Sequence, residues 1–326
     1  MKPLEPTDGS AGWNAGRIPD QSGRVFVVTG ASSGLGLATV RALAERGGRV
    51  VLAVRDEERG RRAVAGLTSA AGDARLAERL AERLEVRHLD LADLDTVWTF
   101  ADRLRTDHPR LDVLVNNAGV FAPPRALSPQ GHELQFAVNH LGHFALTGLL
   151  LDALAAGRDP RVVTVSSLNH RKGRIRFDDL TGVRGYSPMA FYDQSKLANA
   201  LFGRELHRRL TASGSPVRSL LAHPGYTATN LQTSGPTGLT RLLFGRLLRP
   251  LAQRPADGAL PQLYAATEPA ARGGEFIGPD GRGELRGAPT PVRLGPPAAD
   301  PGAARRLWAL SEELTGVRFG LAEAAA

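Results

Sequence analysis

Six short runs dominated by valine, leucine and alanine, separated by stretches of helical period, constrain this chain more than any other feature of it. They cover residues 25–29, 49–54, 84–89, 111–116, 161–166 and 217–222. Strands that alternate with helices are joined by crossovers, so they pair in parallel and take helical layers on their faces. Their near-continuous apolar character fits strands buried on both sides. The spacing therefore predicts an α/β fold, a single doubly wound parallel sheet in three layers, α/β/α. Helices are clearest by period over residues 34–46 and 191–210.

The flanks read differently. Residues 1–23 carry Pro, Gly, Asp and Ser with two apolar anchors, Trp13 and Ile18, and are expected to form an arm laid over the domain. The main domain is expected over 24–277 and a C-terminal extension over 278–326, which should be loop as far as Pro301 and then a short helix near 305–314. A tandem Ala-Glu-Arg-Leu at 77–84 reads as structural filler. Residues 237–251 interleave Leu239, Leu242, Leu243, Phe244, Leu247, Leu248 and Leu251 with arginines, which predicts an amphipathic basic helix. Such a helix can pack over the end of the sheet, form part of a substrate lid at about 230–255, or rest weakly on a membrane surface.

Composition narrows the classes. Lys+Arg number 41 against 33 Asp+Glu, a formal charge of +8, but the charge is spread along the chain and interrupted by acids. Without a basic stripe interleaved with aromatics, no nucleic-acid partner is expected. Only Lys2, Lys172 and Lys196 are lysine, so arginine supplies almost all of the positive charge. Cysteine is absent, which excludes disulfides, thiolate metal centres and cysteine nucleophiles. No run approaches the roughly 20 apolar residues of a membrane helix, and the first residues lack the apolar centre of a signal peptide, so the expected location is the cytoplasm. His140, His143, His170 and His223 lack metal-ligand spacing and a carboxylate cluster, so no metal is expected. No GxSxG elbow surrounds Ser166 or Ser167, which disfavours an esterase.

The segment from Val25 to Gly36 reads as a strand, a glycine-rich turn and a helix start. Gly30 permits the tight turn, Gly34 lets backbone amides approach a pyrophosphate, and Gly36 lets the helix lie close to the sheet. Ser32, Ser33 and Leu35 complete the loop, and the helix N-terminus faces the anion. This is the pattern of a Rossmann dinucleotide site. After the second run, Val54 stands where an NAD-preferring chain would carry an acid, and Arg55 follows it. A guanidinium matches a 2′-phosphate, so NADP(H) is preferred and NAD(H) stays open. Alternatively Arg55 merely ends the strand, since Ser33 adds no second basic group. Asp90, followed by Leu91, could accept from an adenine amino group or cap the next helix. Asn117, Ala118 and Gly119, in Asn116-Asn-Ala-Gly119, are small enough to let the cofactor ribose approach. All four segments lie at carboxyl ends of strands, where open parallel sheets bind ligands.

Ser167 ends the fifth run, and Tyr192-Asp-Gln-Ser-Lys196 follows on the long helix. Tyr192 and Lys196 are four apart and share a helix face, where a lysine cation lowers a tyrosine pKa and makes it usable as an acid-base group. With these residues the sequence resembles the short-chain dehydrogenase/reductase family over residues 20–270. Thr29-Gly-Ala-Ser-Ser-Gly-Leu-Gly36 is similar to its cofactor turn, Asn116-Asn-Ala-Gly119 to its fourth-strand motif, and Tyr192 to Lys196 to its YxxxK. The resemblance implies that Tyr192 is the general acid/base and that Lys196 lowers its pKa and holds the nicotinamide ribose. It further implies that Ser167 hydrogen-bonds the reacting oxygen and Asn139 sustains a water-linked proton relay. Pro224, Gly225, Thr227 and Thr229, in His223-Pro-Gly-Tyr-Thr-Ala-Thr229, would hold the carboxamide.

Within that family, the long serine-to-tyrosine interval, Tyr192-x-x-x-Lys-Leu-Ala-Asn199 and Ala222-His-Pro-Gly225 most resemble the retinol-dehydrogenase-like branch, which also contains the protochlorophyllide reductases. Light-driven reduction in that relative is thought to use a cysteine donor, which this chain lacks. The implied activity is therefore hydride transfer between a nicotinamide cofactor and a small, lipophilic carbonyl or alcohol, with a homo-oligomer left open. A non-catalytic NADP(H)-binding redox sensor is the alternative; the joint presence of Asn139, Ser167, Tyr192 and Lys196 argues against it. Residues 169–177, with Arg171, Lys172, Arg174 and Arg176, are expected to be a solvated loop or a contact for an acidic substrate group.

Overall fold

The central strand β1 (Val25–Thr29) belongs to an eight-stranded sheet ordered β3-β2-β1-β4-β5-β6-β7-β8 in the computed structural model, which describes residues 12–227 and 252–321. The other strands are β2 (Arg49–Val54), β3 (Leu84–His88), β4 (Val113–Asn116), β5 (Arg161–Val165), β6 (Arg218–Ala222), β7 (Phe276–Pro279) and β8 (Pro289–Val292). Strands β1 to β7 run parallel, and β8 returns antiparallel to β7. The six expected strands form within two residues of their expected limits. The last two were not expected: both are short and rich in Gly and Pro. Pro289 and Pro291 cannot donate to a ladder, and β8 tolerates them because it is an edge strand.

The helices are α1 (Gly34–Glu45), α2 (Glu57–Ser69), α3 (Ala74–Arg83), α4 (Leu94–Asp107), α5 (Leu134–Phe136), α6 (Gly142–Leu149), α7 (Leu151–Ala155), α8 (Pro188–Ala212), α9 (Pro255–Gly258), α10 (Leu260–Thr267) and α11 (Pro301–Thr315). The tandem repeat at 77–84 lies mostly within α3. One apolar layer joins Leu104, Phe144, Leu146, Phe202 and Trp308 against one face of the sheet. The opposite layer joins Val40, Leu43, Leu80, Leu263 and Tyr264. This two-faced burial is why the strands read as continuous apolar runs.

Both flanks are built into this core. Trp13 and Ile18 are buried; the Trp13 ring meets Tyr264 edge-on at 5.4 Å, and its Nε1 donates to Glu268 at 3.0 Å. The division expected at 277/278 falls inside β7, and the stretch beyond it, expected to be loop, contributes β8 to the sheet. Helix α11 then packs on α6 and α8: Trp308 contacts Phe144 and Phe202, and Phe319 closes the group. Among the described residues no helix is long and apolar enough to cross a membrane. The amphipathic helix expected at 237–251, most of the lid segment and Thr229 lie outside the described residues.

Candidate active site

The carboxyl ends of β1, β4, β5 and β6 open on the same edge of the sheet, on either side of the point where strand order reverses between β1 and β4. Thr29, the last residue of β1, joins the first two of these ends. Its hydroxyl accepts the Asn117 and Ala118 amides, each at 2.9 Å, and Asn117 Nδ2 donates back to the Thr29 carbonyl at 2.7 Å. Next comes the glycine turn. A Cβ on Gly36 would stand 2.5 Å from the Gly30 carbonyl oxygen, so only glycine lets α1 start this close to the turn. Helices α2, α3, α4 and α8 are capped by the side chains of Asp56, Asp73, Asp93 and Ser187. In contrast, Ser33 stands at the N-cap of α1 without a side-chain cap bond. The first-turn amides of α1 are thus not taken by a cap, and they fit a pyrophosphate.

Asn139 lies in a π-helical turn (Ala137–Leu141) between α5 and α6. A single π-turn inside a helix is a common mark of a functional position. Its side chain clamps the Val120 backbone, accepting from the amide at 2.7 Å and donating to the carbonyl at 3.0 Å, and it also donates to Ser195 Oγ at 2.9 Å. The Asn139 carbonyl meets His143 Nδ1 at 3.0 Å. Because a carbonyl can only accept, Nδ1 carries the ring hydrogen, and Nε2 is left to accept from the Thr29 hydroxyl at 2.8 Å. Burial holds His143 down to about 4, so the ring is neutral.

Tyr192 and Lys196 are buried on one face of α8. The Lys196 ammonium lies 5.8 Å from the centre of the tyrosine ring and donates to the Val165 carbonyl at 3.3 Å. Phe121 meets the ring edge-on at 4.7 Å, and Ala122 and Met189 complete an apolar wall. Burial pushes Tyr192 up to about 12; a hydrogen bond with the Ser167 side chain opposes this, and Asp193 adds to it. Ser167 therefore relieves part of the cost of burying Tyr192. Burial depresses Lys196 itself to about 8. Gly119 fills the gap between elements, since a Cβ there would lie 3.2 Å from Asn139 Oδ1 and 3.6 Å from Lys196 Nζ. Gly119, Asn139, Ser167, Tyr192 and Lys196 thus form one connected group.

The remaining expected residues spread along the same edge. Arg55 is exposed just beyond β2 and has no hydrogen bond or ion pair among the described residues. Asp90 Oδ1 accepts the Ala92 amide at 3.0 Å, whereas the cap of α4 is Asp93. Leu91 is buried in the core, with its carbonyl facing Gly142. Thr227 is buried and its hydroxyl donates to the Pro224 carbonyl at 2.9 Å, so it is turned toward its own loop. Residues 169–177, expected to be solvated, begin in a 3-10 turn (Leu168–Arg171), and Arg171 pairs with Glu284. A cavity of about 400 Å³ along the open edge of β3, between Glu57 and Arg103, includes none of the expected site residues. Sequence reasoning missed Phe121, Gln135 and His143. Gln135 holds the Ala122 amide at 2.9 Å, and no local signal marks such a contact.

A doubly wound sheet with an uncapped glycine-turn helix beside a tyrosine and a lysine defines a dinucleotide-dependent oxidoreductase. The short chain dehydrogenase family model matches residues 24–238, and the chain belongs to that family. It is 42% identical to human retinol dehydrogenase 13 over 301 residues, covering 90% of this chain and 85% of that one. It is 41% identical to mouse polyprenol dehydrogenase over 310 residues, covering 93% and 87%. The crystal structure of an uncharacterized protein from Mycobacterium Paratuberculosis superposes with a TM-score of 0.76 at 45% identity, covering 95% of this chain and 100% of that one. The protein is accordingly an NAD(P)-dependent oxidoreductase of the retinol-dehydrogenase-like branch.

Proposed function

We propose that this protein interconverts a lipophilic aldehyde or ketone and its alcohol, using NADP(H), with Tyr192 as general acid/base. When bound, NADPH would supply the hydride that the carbonyl carbon takes up. As that bond forms, the oxygen gains charge; Ser167 and Tyr192 donate to it, and Tyr192 passes over its proton. Lys196 offsets the charge left on the tyrosine, and Asn139 carries the proton relay that restores it. The observation that carries this reading is the approach of the Ser167 side chain to the Tyr192 hydroxyl, with Lys196 buried beside the same ring.

The apolar wall of Phe121, Ala122 and Met189 supports a lipophilic substrate, as do relatives named for retinol and polyprenol. Arg55 supports NADP(H) over NAD(H). The reading places the enzyme in the cytoplasm and leaves its oligomeric state open.

The test is NADPH oxidation over a panel of aliphatic, aromatic and terpenoid aldehydes and ketones, with NADH in parallel. Turnover with NADPH is expected, and Arg55→Ala should raise the KM for NADPH about tenfold or more while leaving that for NADH nearly unchanged. Preference for NADH would overturn the role of Arg55. Tight NADPH binding with no turnover of the panel or of the matching alcohols would favour a redox sensor instead.

A further inference from the structure

The loop between β7 and β8 holds Glu284 in the left-handed region, at φ +56°. A glutamate adopts that conformation only where the surroundings impose it, and such strain gathers at functional sites. The Glu284 carboxylate accepts from Arg171 Nη2 at 2.7 and 2.8 Å and from His223 Nε2 at 3.0 Å. The Gly225 amide donates to His223 Nδ1 at 3.3 Å, which places the ring hydrogen on Nε2, toward the carboxylate.

Those two partners belong to the two halves of the active site. Arg171 ends the short turn capped by Ser167, and its neighbour His170 donates to the Ser167 carbonyl at 2.6 Å while accepting the Gly295 amide at 2.8 Å. His223 opens the His-Pro-Gly segment after β6. The same loop grips that segment through its backbone: Tyr226 N donates to the Leu285 carbonyl at 2.8 Å. Gly225, at φ +65°, comes so near that a Cβ would stand 2.4 Å from that oxygen. Both imidazoles rest on Phe276, at 5.3 and 5.0 Å.

We propose that Glu284 is a positioning residue that clamps the Ser167 turn to the His223-Pro-Gly segment, fixing the distance between the group that orients the reacting oxygen and the segment that faces the nicotinamide. This rests on the function proposed above. The strand ladder ties the two segments at their roots, where the Ser166 amide donates to the Ala222 carbonyl at 2.8 Å; beyond that pair, one carboxylate, charge-assisted on both sides, joins them. The left-handed backbone aims the side chain between them.

Glu284→Gly removes the carboxylate and the strain together, because glycine takes positive φ freely. The expected melting temperature is within a few degrees of wild type, whereas the NADPH dissociation constant, read by fluorescence titration, weakens on the order of tenfold and kcat/KM falls at least as far. Glu284→Gln keeps the strained backbone and side-chain length and should show the same loss. Adding Arg171→Met to either variant should cost little more, as expected for two members of one contact. A merely structural role would lower the melting temperature and leave the affinity of the folded protein unchanged. If both Glu284 variants bind NADPH and turn over as wild type does, the clamp is wrong while the proposed function stands. A wild-type protein that binds neither NADPH nor NADH would overturn both.

Discussion

Tyr192→Phe is expected to lower carbonyl turnover by about 10²–10⁴-fold, the usual worth of a positioned general acid, with NADPH affinity close to wild type. The substitution removes one oxygen. The ring keeps its edge-on contact with Phe121, and the Ser167 hydroxyl keeps the Asn169 amide at 3.2 Å, so the fold has no reason to change. Single-turnover NADPH oxidation and a fluorescence titration of the coenzyme separate the two effects; a variant that turns over at the wild-type rate would remove Tyr192 from the mechanism.

The titrations give this prediction a direction in pH. Tyr192, held up to about 12 chiefly by burial, stays protonated through the working range, which suits carbonyl reduction better than alcohol oxidation. Lys196, pushed down to about 8 by burial, loses its charge as pH rises through that value and no longer offsets a developing tyrosinate. Reduction should therefore decline above about pH 8, and Lys196→Met should act more slowly throughout and lack that decline. Unfolding from this group cannot mimic the effect. The folded lysine's pKa lies below its ordinary value of 10.5, so between about 8 and 10.5 the unfolded chain binds more protons and the lysine's contribution to stability rises with pH.

The second large effect lies at the opposite end of the sheet. Asp159 accepts from Arg161 at 2.5 Å and from Arg218, and stands 3.9 Å from Arg24. Arg161 is wholly buried and Arg24 nearly so. Asp159→Asn keeps the shape and tolerates the left-handed backbone at φ +53°, but it leaves those guanidiniums without their carboxylate. Stranding a buried charge typically costs 3–5 kcal/mol; because the carboxylate is 40% exposed and partly screened, about 3 kcal/mol is expected. Burial by itself would raise the Asp159 pKa, but Arg161 and Arg218 outweigh it and hold it below its ordinary value of 3.8. The stabilisation is thus complete above pH 3.8 and is lost as pH falls through the lower folded value. Denaturant titration at pH 7 should show the deficit, and the variant should lose less than wild type on acidification. Equal stability at pH 7 would mean that the arginines are satisfied by their backbone partners, Ala265, Glu268 and Ala271.

The contrast between the two ends of the sheet shows what a sequence of this kind can state. Residues 25–29 and 49–54 are strands because β-branched residues without turn signals leave little else for them to form. The glycine turn and the four-residue spacing of Tyr192 and Lys196 are local, and local patterns act through backbone geometry that sequence alone determines. The core strands, the long helix α8 and the placement of Tyr192 and Lys196 on one face of it were legible for that reason. Strands β7 and β8 were not, because Phe276-Ile-Gly-Pro279 and Pro289-Thr-Pro-Val292 carry no strand signal of their own. They form because β6 offers an edge to pair with.

What only the tertiary structure decided are the partners that lie far apart in the chain: Glu284 against Arg171 and His223, Thr29 against His143, and Trp308 against Phe144. It also decided the direction of the Tyr192 titration, which burial raises and Ser167 opposes. Sequence spacing can place two groups on one helix face, but how much water each has lost depends on everything packed around them.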